Sequence, residues 1–421
     1  MKQPTIVIDG RNPISGSVRI SGAKNAALPE LAAVALSSEP FSFANIPQVE
    51  DIKVIYQALL GIGGEGRFDG NQIRIRVAEC RTAVIPTEIV RTTRASVLLL
   101  GPLLARNGYA RVSFPGGCSI GERKINFHLE GLEKMGARIE TAGEYIVARS
   151  DRLRGIEYSF PKKTVTGTEN LLMAATLAEG TSVLRNCALE PEIGDLVELL
   201  LKMGAEIRGK DTEILEITGQ RSLAGANHDV IPDRIEAGTF IIAGSFSGNS
   251  LRVEGANPLH LTSLLDILRG MGVGIDLDGD SISIRPAERL LPADIITAPY
   301  PGYPTDLQAQ ITTLLTQADG VSWVRETIFN DRFKHVCELN RLGAAIEVRG
   351  DSALIRGKTE LTGGILTTTD LRASAALVLG GLIAGGRTII RNSYQLFRGY
   401  ENMPQKLQKL GAAVTIEEEA E

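Results

Sequence analysis

The segment LLKMGAEIRG, residues Leu200–Gly209, holds the pattern from which the architecture can be read. Its first part has the pattern of the end of an apolar helix, which finishes at Met203 and is followed directly by Gly204. A glycine directly after a helix is typical of a left-handed C-cap. The alternating residues behind it, Ala-x-Ile-x, predict a short strand. The segment therefore predicts a helix that turns at once into a strand.

The same phrase returns through the chain at nearly constant spacing. Six glycines carry it, and the intervals between them are 73, 68, 68, 71 and 68 residues: Gly63, Gly136, Gly204, Gly272, Gly343 and Gly411. A fixed period indicates a repeated supersecondary unit. Each copy also contains an Ala-rich helix that is apolar on nearly all sides, as in NAALPELAAVALS and LRASAALVLGGLIA. Such helices are expected to be buried.

Six repeats in 421 residues divide into three plus three. We expect two similar domains, each with buried Ala-rich helices surrounded by sheet, because one core rarely serves a chain of this length. The polar segment 221–234 is the candidate linker. The alternative is a regular solenoid that only binds, although solenoid repeats are usually shorter, at about 30–45 residues.

Composition narrows the class of protein. The chain is 43% apolar and 23% charged, with a net charge of -5, as in an ordinary globular protein. The acidic balance and an aromatic content of only 5% argue against nucleic acid as the main partner. No run of 18 apolar residues and no signal-peptide pattern is present, so we expect a cytoplasmic protein without a membrane span.

Cysteine and histidine spacing predicts neither disulfides nor metal. The four cysteines form no CxxC pair, and the four histidines form no HxH or HExxH pattern. We expect reduced thiols, no metal and no cofactor.

A glycine-rich segment contains one of these cysteines. Cys118 lies in PGGCSIGERKINFH, residues Pro115–His128, between Arg111 and Arg123. The glycines predict a mobile loop, and the arginines could stabilise a thiolate. Cys118 is either a reactive thiol, as nucleophile or general acid, or a tolerated loop cysteine.

Two further patterns suggest an anionic ligand. Lys24 and Asn25 follow Ser21-Gly22-Ala23 at the start of an apolar helix, where backbone amides and a lysine could bind an anion. Arginines stand at the start of apolar helices or in polar turns: Arg94, Arg332, Arg372 and Arg398. Grouped together they would bind phosphate or carboxylate, whereas singly each would be a surface residue.

Two aspartates each follow a threonine just before an apolar helix. Asp306 in YPTDLQAQ and Asp370 in TTTDLRAS are therefore predicted N-caps. The alternative for either is a general base in a cleft.

Taken together, the motifs resemble a known family. SGAKNAALP, RTTRASVLLLGPLLAR, PGGCSIGER, PDRIEAGTF, YPTDLQAQ, FNDRFKHV, TTDLRASAALVLGG and RGYE, in this order along the chain, are similar to the UDP-N-acetylglucosamine 1-carboxyvinyltransferases. The resemblance implies an α/β (α+β) fold of two pseudo-symmetric inside-out α/β barrel domains, each of three βαβαββ repeats around buried helices. One domain would contain residues 1–22 and 233–421, and the other residues 23–232.

The resemblance also implies the reaction. The enolpyruvyl group of phosphoenolpyruvate would be transferred to the 3-hydroxyl of UDP-N-acetylglucosamine, with release of phosphate, at the start of peptidoglycan synthesis. Both substrates are small molecules, and neither nucleic acid nor membrane is implied as a partner. We expect a monomer or weak homo-oligomer.

Site residues follow from the resemblance position by position. Cys118 would donate the proton to C3, and its loop would close over the substrates; Asp306 would be the base at the sugar hydroxyl, with Lys24 and Arg398 completing the catalytic set. Phosphoenolpyruvate would contact Lys24, Asn25, Arg94, Arg123, Arg332, Asp370, Arg372 and Arg398. UDP-N-acetylglucosamine would contact Arg94, Arg123, Lys124, Ile125, Asn126, Phe127, Lys163, Thr164, Val165, Thr166, Asp306 and Ile328.

Some positions depart from the family pattern. Leu189 stands where a basic residue is common, Phe397 where Asp is common, and Asn330-Asp331 precede Arg332 in place of a Glu-Asn-type pair. Three alternatives remain: a 5-enolpyruvylshikimate-3-phosphate synthase, an RNA 3′-phosphate cyclase, and a catalytically silent paralogue that binds sugar nucleotides. The first lacks the PGGC loop, the second needs a reactive histidine, and the third should have lost Cys118, Lys24 or Arg398.

Overall fold

The structure is a computed structural model that describes residues 4–86, 95–114 and 125–418. These residues form two compact units. One contains residues 4–21 and 232–418, and the other contains residues 22–86, 95–114 and 125–231. In the part of the chain that is described, no helix has the length and apolar character to cross a bilayer.

Six four-stranded sheets share one strand order. In each, an edge strand pairs parallel with its neighbour, and two antiparallel strands follow. In the unit of residues 22–231 they are, in spatial order, Asn227–Asp229, Phe41–Ala44, Gln72–Arg76 and Glu65–Asp69; Val84–Ile85, Tyr109–Ser113, Tyr145–Arg149 and Arg138–Ala142; and Glu157–Ser159, Thr181–Arg185, Ile214–Thr218 and Glu206–Arg208. In the other unit they are Ser15–Arg19, Ser250–Glu254, Ser281–Arg285 and Gly274–Asp278; Ile295–Ile296, Val321–Arg325, Ser352–Arg356 and Ile346–Arg349; and Ile365–Thr367, Arg387–Arg391, Pro4–Asp9 and Ala413–Glu418.

The helices fall into two groups. Largely buried ones fill the middle of each unit: Lys24–Ala33 with the 3₁₀ turn Val34–Leu36, the 3₁₀ turn Ala95–Leu99 with Leu100–Asn107, and Val165–Ala175; then Arg234–Gly244, the 3₁₀ turn Thr305–Leu307 with Gln308–Leu315, and Leu371–Ile383. Helices with one exposed face are Glu50–Gly61, Asn126–Lys134, Pro191–Lys202, Thr262–Gly270 after the turn Pro258–Leu261, His335–Arg341, Met403–Lys409 and the short Tyr394–Phe397. The predicted fold class, sheet around buried Ala-rich helices, is confirmed.

The six repeat glycines end the helices as predicted. All six have φ between 90° and 111°, the left-handed region that a side chain disfavours. At Gly204 the amide N–H donates to Leu201 O at 3.0 Å, and the next amide, of Ala205, donates to Leu200 O at 3.0 Å. This is the Schellman arrangement, which supplies hydrogen bonds to the last carbonyls of the helix.

The repeat pattern did not predict which part of the chain supplies each strand of a sheet. Three sheets each take one strand from a distant part of the chain, namely Pro4–Asp9, Ser15–Arg19 and Asn227–Asp229. The last of these lies within the predicted linker 221–234, and its His228 is buried. The chain passes from one unit to the other after Ile231, within the predicted linker, but residues 227–229 form a strand that was not predicted, because three residues are too few to show an alternating pattern.

Gly204→Ala is expected to lower the free energy of unfolding by about 1–2 kcal/mol. No atom lies within 4 Å of the position of an added Cβ, so the cost comes from the φ of 90° alone. Gly270→Ala is the matched control, because it also has open space but lies within a helix, where alanine stabilises by about 1 kcal/mol. The midpoint of urea unfolding should therefore fall in Gly204→Ala and rise in Gly270→Ala. Equal shifts of the two midpoints would contradict the C-cap argument.

Candidate active site

A buried ion-pair cluster lies at the start of two central helices of the unit of residues 232–418. Arg332 Nη2 is 2.7 Å from Asp306 Oδ1, and Arg372 Nη2 is 2.7 Å from Asp306 Oδ2. The arginine side chains are 3% and 4% exposed, against 26% for Asp306. Each carboxylate oxygen thus has a charge-assisted hydrogen bond from a different guanidinium group, which fixes the plane of the carboxylate. The carboxylate is the accessible member of the cluster.

The two aspartates that the sequence predicted as N-caps behave differently. Asp370 caps helix Leu371–Ile383, because its Oδ1 accepts N–H of Arg372 at 2.9 Å and N–H of Ala373 at 3.0 Å. Asp306 lies inside the 3₁₀ turn Thr305–Leu307, and the turn and the helix after it begin without a side-chain cap. The N-cap prediction for Asp306 was wrong, since its carboxylate binds the two arginines.

Arg332 is also anchored to the backbone beside Asp306. Its Nε and Nη2 donate to Thr305 O at 3.3 and 3.2 Å. Thr305 Oγ1 donates in turn to Glu326 Oε2 at 2.9 Å. The other oxygen of Glu326 accepts the amide N–H of Ile328 at 2.8 Å. Ile328, a predicted sugar-nucleotide contact, is thereby linked to the Asp306 turn through two side chains.

Arg372 is held from behind by a buried polar network. Its guanidinium carbon lies 5.4 Å from the centre of the Tyr400 ring. The Tyr400 hydroxyl hydrogen-bonds with Thr239 Oγ1 and accepts N–H of Gln310, each at 3.0 Å. Burial alone would lower the pKa of Arg372, but Asp306 raises it above its usual range. Arg372 therefore stays a cation although it is buried.

His335 adds a titratable group next to Arg332. It is 1% exposed, and its Nδ1–H donates to Arg332 O at 3.2 Å. Its Nε2 has no hydrogen-bond partner among the described residues. Burial lowers the pKa of His335 to about 4, with Arg332 acting in the same direction and Asp370 opposing. The imidazole is therefore neutral at neutral pH.

His335 is expected to lower the free energy of unfolding as the pH falls. The unfolded chain binds a proton here below a pKa of about 6.5, while the folded chain does not until about pH 4. Since the unfolded state holds more protons in this window, stability is lost as pH falls through it. His335→Gln should remove about 2 kcal/mol of this loss between about pH 7 and pH 5. Urea unfolding at both pH values tests this, and an unchanged slope in the variant would contradict it.

Lys24 is placed at a helix start in the unit of residues 22–231. It is the first residue of helix Lys24–Ala33, and its Nζ is 3.3 Å from Asp51 Oδ2. The two side chains are 11% and 5% exposed. Asn25, the next residue, is half-buried. A mostly buried ammonium at a helix N-terminus is an arrangement that attracts an anion.

Two predicted nucleotide-binding segments lie beside each other in the same unit. Asn126 and Phe127 begin helix Asn126–Lys134 after its N-cap Ile125, and Thr164 caps helix Val165–Ala175 by accepting N–H of Gly167 at 3.3 Å. His128 Nε2 is 3.2 Å from Thr166 Oγ1, which joins the two helix starts. Lys163 Nζ lies 2.8 Å from Glu213 Oε1.

The remaining predicted residues differ in how far they can be placed. Arg398 follows helix Tyr394–Phe397, is 9% exposed and donates to Gln395 Oε1 at 3.2 Å. The reading of Arg332, Arg372 and Arg398 as single surface residues is wrong, because all three are buried. Four predicted residues lie outside the described residues: Arg94, Cys118, Arg123 and Lys124. The other cysteines are free thiols: Cys80, Cys187 and Cys337.

Sequence reasoning missed the supporting side chains. Asp51, Glu326, Gln310 and Tyr400 each contact a predicted site residue or its turn. Asp51 lies in the first turn of helix Glu50–Gly61, where an acidic side chain is common because it interacts favourably with the helix dipole. Its position in the sequence therefore gave no reason to expect a contact with Lys24. Tyr400 lies in the RGYE motif, which is part of the family resemblance, so this motif could have pointed to Tyr400 as a residue near the site.

Comparisons with known proteins agree on one family. Residues 8–407 match the profile of the family EPSP synthase (3-phosphoshikimate 1-carboxyvinyltransferase). The chain is 52% identical over 412 residues to a UDP-N-acetylglucosamine 1-carboxyvinyltransferase of Koribacter versatilis, covering 97% of this chain and 95% of the relative. It is 48% identical over 414 residues to the protein of the same name from Anaeromyxobacter dehalogenans, covering 97% and 98%.

Solved structures give the same picture of the fold. The enolpyruvyl transferase NikO from Streptomyces tendae superposes with a TM-score of 0.91 at 27% identity, over 100% of both chains. An EPSP synthase from Acinetobacter baumannii has a TM-score of 0.76 at 18% identity, over 99% of this chain and 100% of the other, and supports the fold alone.

Proposed function

We infer the function from the family: the chain belongs to the EPSP synthase (3-phosphoshikimate 1-carboxyvinyltransferase) family and, within it, to the UDP-N-acetylglucosamine 1-carboxyvinyltransferases. It is an enzyme that transfers the enolpyruvyl group of phosphoenolpyruvate to the 3-hydroxyl of UDP-N-acetylglucosamine. The observation that carries this is 52% identity over 97% of the chain to a relative of that name. The reaction is the first committed step of peptidoglycan synthesis and so serves cell-wall biogenesis, cell shape and cell division.

The reaction proceeds by addition and elimination. The sugar hydroxyl oxygen bonds to C2 of phosphoenolpyruvate and gives up its proton, while C3 accepts a proton. In the second step C3 loses a proton, the C2–C3 double bond reforms, and inorganic phosphate leaves C2. The products are UDP-N-acetylglucosamine enolpyruvate and phosphate. A base at the hydroxyl, an acid at C3 and cations at the phosphate are what the enzyme has to supply.

We assign Asp306 as the base at the sugar hydroxyl. Its carboxylate is held by Arg332 and Arg372 and is the most accessible member of that cluster. The guanidinium groups are buried behind it, so they orient the base as well as offering positive charge to a phosphate. Asp370 supports this arrangement by fixing the first turn that carries Arg372.

We assign the acid and the anion contacts from the family motifs. Cys118 donates the proton to C3. Lys24 and Asn25 bind phosphoenolpyruvate at the start of helix Lys24–Ala33, where the ammonium and the helix dipole act together. The further phosphoenolpyruvate contacts are Arg94, Arg123, Arg332, Asp370, Arg372 and Arg398.

The sugar nucleotide is assigned to the two adjoining helix starts. We propose that Ile125, Asn126 and Phe127 bind it together with the turn Lys163–Thr166. The hydrogen bond between His128 and Thr166 supports a common binding surface, because it joins the two helix starts at 3.2 Å. Other proposed contacts of the sugar nucleotide are Arg94, Arg123, Lys124, Asp306 and Ile328. We propose further that the enzyme is cytoplasmic and a monomer or weak homo-oligomer, which cell fractionation and sedimentation measure.

Phosphate release tests the proposed function. Wild-type protein should release phosphate from phosphoenolpyruvate with UDP-N-acetylglucosamine and not with shikimate 3-phosphate. Cys118→Ala should lose activity by about 10²–10⁴-fold, the usual contribution of a positioned acid. Release with shikimate 3-phosphate would instead favour the EPSP synthase reaction that the family description names. Binding of the sugar nucleotide without any release would indicate a silent paralogue.

A further inference from the structure

A second buried cluster of charged side chains lies in the unit of residues 22–231, apart from the assigned site residues. It consists of the buried Glu30, Asp195 and His228 together with the exposed Lys202, and we call it the Asp195 cluster. Glu30 is on helix Lys24–Ala33, Asp195 is on helix Pro191–Lys202, and His228 is on strand Asn227–Asp229. Their side chains are 0%, 2% and 1% exposed. His228 Nε2 lies 3.1 Å from Asp195 Oδ1 and 3.4 Å from Glu30 Oε1.

The hydrogen-bond pattern argues that this cluster holds protons and not a metal ion. Glu30, Asp195 and His228 have the spacing of possible metal ligands. Lys202 Nζ, however, lies 3.0 Å from His228 Nδ1, and an ammonium group can only donate. Nε2, which faces Asp195, therefore carries a proton, and although burial lowers the pKa of His228, the bonds to Asp195 and Glu30 raise it to about 9. A protonated Nε2 has no lone pair for a cation.

Asp195 also reaches the backbone in front of Lys24. Its second oxygen, Oδ2, accepts the amide N–H of Ile231 at 3.0 Å. The carbonyl of the same Ile231 accepts the amide N–H of Ala23 at 2.7 Å. Ala23 is the N-cap residue of helix Lys24–Ala33, and this helix has no side-chain cap. The carbonyl of Ile231 thus accepts the amide N–H of the N-cap residue, which in a capping box would be accepted by the side chain at the third helical position.

The other unit uses the same device. Glu236, 2% exposed in its side chain, accepts the amide N–H of Ser21 at 2.7 Å through Oε2. Its Oε1 pairs with Lys406 Nζ at 2.5 Å. Ser21 O in turn accepts the amide N–H of Asp233, which caps helix Arg234–Gly244. In both units a buried, charge-balanced carboxylate fixes the backbone in front of a central helix. The repetition argues for a specific task for this contact, beyond filling space in the core.

We infer that Asp195 is a positioning residue for Lys24, acting through the backbone of Ile231 and Ala23. The inference rests on the proposed function, in which the ammonium of Lys24 binds phosphoenolpyruvate. The N–H of Ala23 is bound to Ile231 O, so we expect the helix start to shift when Ile231 N–H loses its acceptor, Asp195 Oδ2. Misplacement of a binding group by about 1 Å can cost about 10²-fold in rate. His228, oriented by Lys202, completes the hydrogen bonding of Asp195 and keeps its Oδ2 directed at Ile231.

Steady-state kinetics of Asp195→Asn test this assignment. Asparagine offers one acceptor oxygen to the two N–H groups of Ile231 and His228, so one of the two bonds is lost. We expect the KM for phosphoenolpyruvate to rise about 10-fold, with the KM for UDP-N-acetylglucosamine unchanged within about 2-fold. Ser182→Ala is the matched control, because Ser182 on strand Thr181–Arg185 is fully buried and accepts the amide N–H of Ile156 at 3.3 Å, a backbone amide outside the Asp195–Ile231–Ala23 connection. Equal effects of both variants on both KM values would overturn the assignment.

A double-mutant cycle with Lys24→Met separates positioning from general destabilisation. If Asp195 acts through Lys24, Asp195→Asn should add less than about 2-fold to the KM for phosphoenolpyruvate in the Lys24→Met background. Multiplication of the two single effects would overturn the assignment.

Hydrogen exchange tests the link without the reaction. In Asp195→Asn, peptides that contain the amides of Ala23 and Ile231 should exchange faster than in wild type and in Ser182→Ala. Unchanged exchange at Ala23 would overturn the link. Failure of wild-type protein to release phosphate would contradict the proposed function alone, because this exchange experiment still reports on the backbone connection.

Discussion

Asp306→Asn is expected to lower kcat by about 10³-fold. The affinity for each of the two substrates should change by no more than a few fold. General bases contribute about 10²–10⁴-fold, and an amide cannot accept the hydroxyl proton. The neighbouring groups that orient position 306 are unchanged, since Arg332 keeps its bonds to Thr305 O at 3.2 and 3.3 Å. The loss should therefore appear in kcat and not in KM.

The same substitution should also destabilise the protein and create an anion site. Arg332 and Arg372 are 3% and 4% exposed, and without the carboxylate they are buried cations that lack a countercharge. Breaking a buried ion pair from one side costs about 3 kcal/mol. An added anion can replace the lost carboxylate, because Arg332 Nη2 and Arg372 Nη2 each lose a negatively charged acceptor. Inorganic phosphate should thus raise the melting temperature of Asp306→Asn more than that of wild type.

Asp331→Asn is the control for both effects. Asp331 is exposed and precedes Arg332 in the chain, so it changes the local charge by the same amount without touching the cluster. It should keep kcat within about 2-fold of wild type and show the wild-type response to phosphate. An Asp306→Asn enzyme with wild-type kcat would exclude Asp306 as the base. If phosphate raised the melting temperature equally in all three proteins, Arg332 and Arg372 would not form a new anion site in Asp306→Asn.

The repeat pattern determined the fold to a large extent, because its signals are local. A glycine after an apolar helix needs no knowledge of the rest of the chain, and all six repeat glycines have the predicted positive φ. The alternation behind each glycine likewise predicted the strands that pair in the six sheets. Strand exchange could not be predicted in this way. Strand Asn227–Asp229 pairs with Phe41–Ala44, and nothing in three residues specifies a partner almost two hundred residues away.

The candidate site was less accessible to sequence reasoning for a related reason. Asp306 and Asp370 have the same local pattern, a threonine and then an aspartate before an apolar helix. One caps its helix, and the other pairs with Arg332 and Arg372. The choice depends on which cations other repeats bring near, and 66 residues separate Asp306 from Arg372. Local pattern predicts that a carboxylate is needed at a helix start, whereas tertiary structure decides what it binds.

Lys24→Met is expected to reduce kcat/KM for phosphoenolpyruvate by about 10³-fold. Methionine retains much of the apolar stem of lysine but removes the ammonium, so the change isolates the charge. The start of helix Lys24–Ala33 still presents backbone amides, which is why binding should be weakened and not abolished. Initial rates at varied phosphoenolpyruvate, with UDP-N-acetylglucosamine saturating, measure the ratio.

The neighbouring carboxylate provides the control for this prediction. Asp51 is 5% exposed and lies 3.3 Å from the ammonium, so Lys24→Met removes a countercharge from a buried acid and should lower stability by about 3 kcal/mol. The double variant Lys24→Met/Asp51→Asn should regain most of that stability, because it removes the buried charge as well. Its activity should stay as low as that of Lys24→Met. If activity returned together with stability, Lys24 would serve to neutralise Asp51, and phosphoenolpyruvate would have to be bound by other cations.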